Sequence, residues 1–149
     1  MIIAADIGVK GALAFMEGQN LTVCDIPTLT TNGKTTVDIY QLSNIVSQYP
    51  SATHAYIEQV AARPGQGVVS MFSFGKTYGI ILGILAAKGI PITYVTPGKW
   101  KKDLGVQADK DAARARASEL MPQHAHLWPL KKHDGRAEAA LIAYWGSRK

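Results

Sequence analysis

Apolar and polar positions change in short blocks over the first sixty residues and in longer, helix-like stretches after them. MIIAADI (1–7) is apolar apart from Asp6 and runs into Gly8. GALAFMEG (11–18) and LTVCDI (21–26) follow after very short connections, the second being the turn signal Gln19-Asn20. Connections this short predict an antiparallel meander of three strands. Residues 27–35 read as a polar loop. In TVDIYQLSNIVSQY (36–49), Val37, Tyr40, Leu42, Ile45, Val46 and Tyr49 recur at near-helical spacing, and Pro50 ends the helix. THAYIEQV (53–60) predicts a fourth strand and PITYVT (91–96) a fifth. Between them lie a loop, AARPGQG (61–67), and a long helix over residues 68–89, closed by Gly89. That helix is apolar nearly all round and needs cover on several sides. PGKWKKDLG (97–105) reads as a short basic turn or helix. DKDAARARASELM (109–121) reads as a helix capped by Asp109, residues 122–132 as a loop, and HDGRAEAALIAYWGSRK (133–149) as a terminal helix.

Three antiparallel strands followed by helix-connected strands predict an α/β fold with a mixed five-stranded sheet flanked by helices. The ribonuclease H-like architecture has this order, and in it the first and fourth strands are neighbours. The 149 residues suit one domain, with no internal repeat and no long linker. A composition of 47% hydrophobic and 18% charged residues excludes a disordered chain, and the single cysteine, Cys24, excludes a disulfide framework. The N-terminus reaches Asp6 early and has no basic leader, so a cytoplasmic protein is expected. The run Tyr78–Ala87 is too short to span a bilayer, and no membrane partner is expected.

Charge narrows the class of partner. Residues 1–60 hold two basic and five acidic side chains, whereas residues 61–149 hold fourteen basic and six acidic ones, for a chain total of +5. A basic back half joined to an acidic front half fits a polyanion held against a few carboxylates; a solvated basic surface would show the same balance.

Those carboxylates stand out against their surroundings. Asp6 and Glu58 each sit in an otherwise apolar strand, where an ionised group costs several kcal/mol unless paired, protonated or bound to a cation. If the first and fourth strands are neighbours, both acids project from one edge, and two charges about 4 Å apart repel by about 4 kcal/mol at an effective dielectric near 20. A divalent metal resolves the conflict, and hard oxygen ligands favour magnesium or manganese. Asp134 and Glu138 lie four apart on one face of the terminal helix. The small residues around them, Gly135, Ala137, Ala139 and Ala140, would let that helix approach the sheet closely. The four acids would then hold two metal ions, an arrangement that clamps a phosphodiester. Lys101, Lys102 and Lys110 are candidates to neutralise the phosphate. His133 is a candidate to shuttle a proton, although a cap at the helix start explains it as well.

Four segments in this order resemble one family: MIIAADIGVKGALA, YIEQVAARPGQGVVSMFSFGKTYG, ITYVTPGKWKKDLGVQADKDAARARA and KKHDGRAEAALIAYWG. Together they resemble the RuvC-type crossover (Holliday) junction endodeoxyribonucleases of bacteria and their phages. The resemblance implies a ribonuclease H-like fold, a homodimer and magnesium-dependent cleavage of four-way DNA junctions. It places Asp6 as the first-strand acid, Glu58 as the fourth-strand acid and Glu138 as the last acid. Lys101 and Lys110 match the active-site lysines, with Lys99 and Lys102 as neighbouring registers. Asp134 departs from the pattern, since bacterial members usually space the last two acids three apart rather than four. The short chain and the HDGRAEA wording are closer to phage members, which implies substrates extending to other branched DNA.

A two-fold dimer would place two active sites on one junction, with Val68–Ala87 as the candidate interface; a buried central helix would show the same apolar composition. Phe72 and Phe74 are candidates to stack on an unpaired base beside the ARPGQG loop. Arg63, Lys76, Lys99, Lys102, Lys131, Lys132 and Arg136 are candidates to track phosphates. Trp100 and Trp128 read as packing residues. Rival readings are an RNA–DNA hybrid nuclease of the same fold, a non-catalytic DNA-binding module and an actin-like or sugar-kinase-like ATPase. The last is poorly served by 149 residues and by Ser70 standing where a phosphate-binding loop needs its first glycine.

Overall fold

In β1 (Ile2–Asp6) successive side chains point to opposite faces, and both faces are covered. The chain is a computed structural model that describes residues 1–109 and 111–149. β1 pairs antiparallel with β2 (Ala12–Glu17), which pairs antiparallel with β3 (Asn20–Asp25). On its other side β1 pairs parallel with β6 (His54–Glu58), and β6 pairs parallel with β7 (Ile92–Val95). The sheet order is β3-β2-β1-β6-β7, the mixed five-stranded arrangement expected from the sequence.

Side-chain size decides how closely each face is approached. Ala4, Ala12 and Ala14 line one face, which packs on α5 (Asp134–Ser147), α4 (Ala112–Leu120) and α3 (Pro97–Leu104). Ile3, Ala5, Leu13, Phe15 and Ile57 line the other, against α1 (Ile39–Ser47) and α2 (Val68–Ala87). The alanine face admits α5 so deeply that Gly135, Ala137, Ala139 and Ala140 through Ala143 are all buried. A Cβ on Gly146 would stand 2.3 Å from the ring of Tyr56, so α5 and β6 touch there with nothing to spare.

Four local expectations are corrected. Residues 27–35 are not a loop: β4 (Thr28–Thr31) and β5 (Lys34–Val37) form a separate two-stranded hairpin, and Val37 belongs to it rather than to α1. Its turn is Asn32-Gly33, with φ of 52° and 75°, the left-handed pair that a tight hairpin requires. Helix α4 starts at Ala112, and Asp109 instead accepts a hydrogen bond from the backbone N–H of Asp111 (3.1 Å). Two 3-10 segments, Pro122–Leu127 and Lys131–His133, occupy most of residues 122–132. Helix α2 is continuous for 20 residues, so the apolar stretch is longer than Tyr78–Ala87. It is long and apolar enough to cross a membrane, with a mean hydropathy of 1.6. Only Thr77, Ile81 and Leu85 of this helix are buried, while Val68, Val69 and Phe72 are among the most exposed apolar residues.

Candidate active site

The register of the sheet brings the acids to one place. Ala5 is opposite Ile57 in the parallel β1–β6 pair, so Asp6 and Glu58 end adjacent strands at the same edge. Asp6 shares its face with Ala4, and Glu58 shares its face with Tyr56; both faces point toward α5. Helix α5 starts at Asp134 and brings Asp134 and Glu138 over that edge. Gly135 makes the approach possible: a Cβ there would sit 2.9 Å from Asp6 Oδ2 and 3.0 Å from the Lys10 carbonyl oxygen. The sequence expectation that small residues bring this helix onto the sheet matches the packing at this position.

The electrostatics follow from that crowding. Burial pushes the Asp6 carboxyl well above its ordinary value of 3.8, and the negative charges of Glu138, Glu58 and Asp134 push it further. Burial also raises Glu138; Lys101 opposes the shift, and Glu58 and Asp134 add to it. Asp6 and Glu138 are close enough to share a hydrogen bond. Among the described residues, no group of three His, Cys, Asp or Glu side chains is placed so that it could hold a metal ion. Glu58, Asp134 and Glu138 are near enough to act on the charge of Asp6, but as they stand the four acids do not converge as a ligand set. Their chemistry fits a hard divalent cation, since all the available donors are carboxylate oxygens.

Two side chains on α3 act on the cluster. Lys101 Nζ is 3.9 Å from Glu138 Oε1, half-exposed and beside the ring of Trp100. The indole Nε1 of Trp100, itself fully buried, donates to Glu58 Oε2 at 2.9 Å. Trp100 is thus more than the packing residue the sequence suggested. The missed signal was weak, because only the tertiary fold brings residue 100 to residue 58.

The remaining predicted positions scatter around this edge. Arg63 and Phe74 line a cavity of about 480 Å³ that opens directly beside Glu58, with Gln66 and Met71 in its wall. Phe72 is exposed on α2, as is Lys76. Lys102 is exposed on α3. Lys99 is held by Asp103 (2.8 Å) and Lys131 by Asp111 (3.7 Å). Arg136 makes a two-pronged pair with Asp25, both contacts at 2.8 Å, so its charge is already engaged. Lys132 lines a second cavity with Lys10, a basic residue not singled out from the sequence. The imidazole of His133 is buried and its Nδ1 accepts from the Leu130 N–H (3.1 Å), so it clamps the entry to α5. Lys110, expected at the active site, lies outside the described residues.

A mixed sheet of order β3-β2-β1-β6-β7 flanked by helices is the fold that RuvC also has. The chain superposes on Thermus thermophilus RuvC in complex with a Holliday junction substrate with a TM-score of 0.58. That match covers 99% of this chain and 94% of RuvC at 13% identity. A second RuvC structure from the same organism gives a TM-score of 0.50 at 14% identity, covering 99% and 95% of the two chains. In sequence, the chain is 35% identical over 98 residues to the chloroplastic Holliday junction resolvase MOC1 of Chlamydomonas reinhardtii. The matched part is 64% of this chain and spans 11% of the length of that relative. No family model matches the chain.

Proposed function

We propose that this chain is a divalent-metal-dependent endodeoxyribonuclease that nicks four-way DNA junctions, acting as a homodimer. The observation that carries the reading is the meeting of Asp6, Glu58, Asp134 and Glu138 at one sheet edge, in a fold shared with RuvC. The sequence similarity to a Holliday junction resolvase supports the choice of substrate.

Asp6, Glu58, Asp134 and Glu138 would hold the metal, magnesium with manganese as a substitute, at two ions per site. Bound there, it supplies Lewis-acid activation of water and neutralises charge at the phosphate. The protein's own groups then set geometry. Trp100 fixes one oxygen of Glu58 and leaves the other free to ligate. Lys101 places its ammonium at the rim, where it offsets Glu138 and can face a phosphate oxygen. The cavity beside Glu58 gives a displaced nucleotide somewhere to go, with Arg63 as a phosphate contact and Phe74 as a stacking wall.

Trp100 is a positioning residue in this scheme. Trp100→Phe keeps an aromatic ring in the core and removes the hydrogen bond to Glu58. A hydrogen bond to a charged group is worth about 1.5–3 kcal/mol, so single-turnover nicking is expected to slow at least tenfold. Junction affinity should stay within twofold, and a purely structural role would leave the rate unchanged in the folded variant.

Helix α2 is the proposed dimer contact. Gly75, Gly79 and Gly83 follow at four-residue intervals, and a Cβ on any of them would meet nothing within 4 Å. A second copy of the helix would close over this open, apolar surface. Gly79→Arg should fold and sediment as a monomer while the wild type sediments as a dimer. A monomeric wild type would remove the dimer from the proposal and leave the nuclease reading standing.

The test of function is incubation with a synthetic four-way junction, a fork, a linear duplex and an RNA–DNA hybrid. Magnesium or calcium is added, and products are sized on a denaturing gel. Paired nicks in the junction with magnesium and none with calcium are expected. Cleavage of the hybrid in preference to the junction would overturn the substrate assignment.

A further inference from the structure

Among the described residues, the Thr28–Val37 hairpin pairs with no strand of the main sheet. All four residues of β4 are exposed, and in β5 only Val37 is buried. An isolated two-stranded ribbon is marginal in water, yet this one is braced. The Thr30 and Thr35 hydroxyls bond across the strands at 3.0 Å. Its root is clamped by the Asp38 N–H donating to the Pro27 carbonyl at 2.8 Å, between the core residues Ile26 and Val37.

Its chemistry is one-sided. Residues 26–37 contain five threonines, Asn32 and Lys34, and no acid, in the acidic half of the chain. Its place is equally specific. Asp25, two residues before the root, pairs with Ala12, and Ala12 pairs with Asp6, so the hairpin leaves the sheet from the row that holds the acids. Thr28 lines the same cavity, of about 460 Å³, as Lys10 and Lys132. Two strand spacings put Asp25 about 10 Å from Asp6, the two residues to the root add about 7 Å, and four extended residues add about 13 Å. The tip therefore lies within about nine base pairs of the acids, at 3.4 Å per pair.

We propose that this hairpin grips the sugar-phosphate backbone of a duplex arm of the DNA substrate, through its threonine hydroxyls and Lys34. This rests on the nuclease reading above. Hydroxyl and lysine contacts of this kind position a duplex without reading its sequence. Cations at the root, Lys10 and Lys132, continue the same track toward the acids.

The test compares wild type, Lys34→Glu and Thr31→Glu on two junctions in calcium, one with 15-base-pair arms and one with arms closed by a loop after four base pairs. Both variants place the change at the exposed tip, and unchanged thermal melting checks that they fold. On long arms, the dissociation constant is expected to rise about tenfold, and Lys34→Glu should lower the salt slope by about one. On short arms, the three proteins should bind alike, and nicking at saturation with magnesium should be unchanged. Equal binding of long arms by all three would overturn the hairpin proposal and leave the nuclease reading intact. A wild type that binds neither junction would overturn both.

Discussion

Asp6→Asn is expected to abolish nicking, by about a thousandfold or more, while leaving junction binding in calcium within severalfold and raising the melting temperature of the metal-free protein. A thousandfold loss is about 4 kcal/mol of transition-state stabilisation, a reasonable size for removing a charge that anchors the metal cluster. The stability gain follows from the direction of the Asp6 shift. Its carboxyl is held above 3.8 by burial and by three neighbouring acids, so the folded state prefers it protonated. A group raised in this way contributes stability that is fully present below its unfolded value. That contribution is lost as pH rises through the folded value. As pH rises above 3.8, the metal-free wild type progressively loses that contribution, and Asn removes the titrating group. Relief of about 1 kcal/mol corresponds to roughly 2–4 °C at this chain length. The wild type's metal-free melting temperature should fall as pH rises from 4 toward 7, with a flatter profile in the variant. Calorimetric melts across that range, with and without magnesium, check this. A variant that melts lower than wild type at pH 7 would show that the acids are not in conflict.

Gly135→Ala is expected to be nearly as damaging for a different reason. The added Cβ would press on Asp6 Oδ2 at 2.9 Å and on the Lys10 carbonyl at 3.0 Å, with the Gly11 Cα at 3.4 Å behind. The Asp6 side chain can rotate away, but the backbone of the β1–β2 turn cannot. Either Asp6 leaves its place or α5 lifts from the sheet, carrying Asp134 and Glu138 with it. A displacement near 1 Å costs about a hundredfold in rate, and overpacking costs about 1–3 kcal/mol of stability. Nicking should fall about a hundredfold, and stabilisation by divalent ions should shrink with it. Gly98→Ala, where a Cβ meets nothing within 4 Å, is the control and should be silent in both assays. Equal activity of Gly135→Ala and wild type would mean that the close packing of α5 on β1 does not position the acids.

The legible part of this site is its oddest part. One carboxylate at a strand end can simply cap a loop, but two of them, in MIIAADI and AYIEQV, ending strands that the order of elements makes neighbours, marked Asp6 and Glu58 before the fold was in view. The small residues flanking Glu138 likewise announced a helix pressed against a sheet. The hairpin was hidden by its composition: TLTTNGKTTV lacks the apolar alternation of a strand, although Asn32-Gly33 between threonines is the local signal for a tight two-residue turn. Pairing across the fold left no trace in the sequence. Trp100 reaches Glu58 across 42 positions and Arg136 reaches Asp25 across 111, so one packing residue became a positioning residue and one phosphate candidate became half of an ion pair. Helix α2 was legible as apolar all round, and only Thr77, Ile81 and Leu85 of it are buried in the single chain.

The most direct test of the account is anomalous diffraction from a crystal of the protein grown with manganese chloride, measured above the manganese edge. Anomalous density bounded by the carboxylates of Asp6, Glu58, Asp134 and Glu138, and lost in Asp6→Asn, is the expected result. Manganese bound elsewhere, with those four side chains turned away from one another and no density between them, would contradict it.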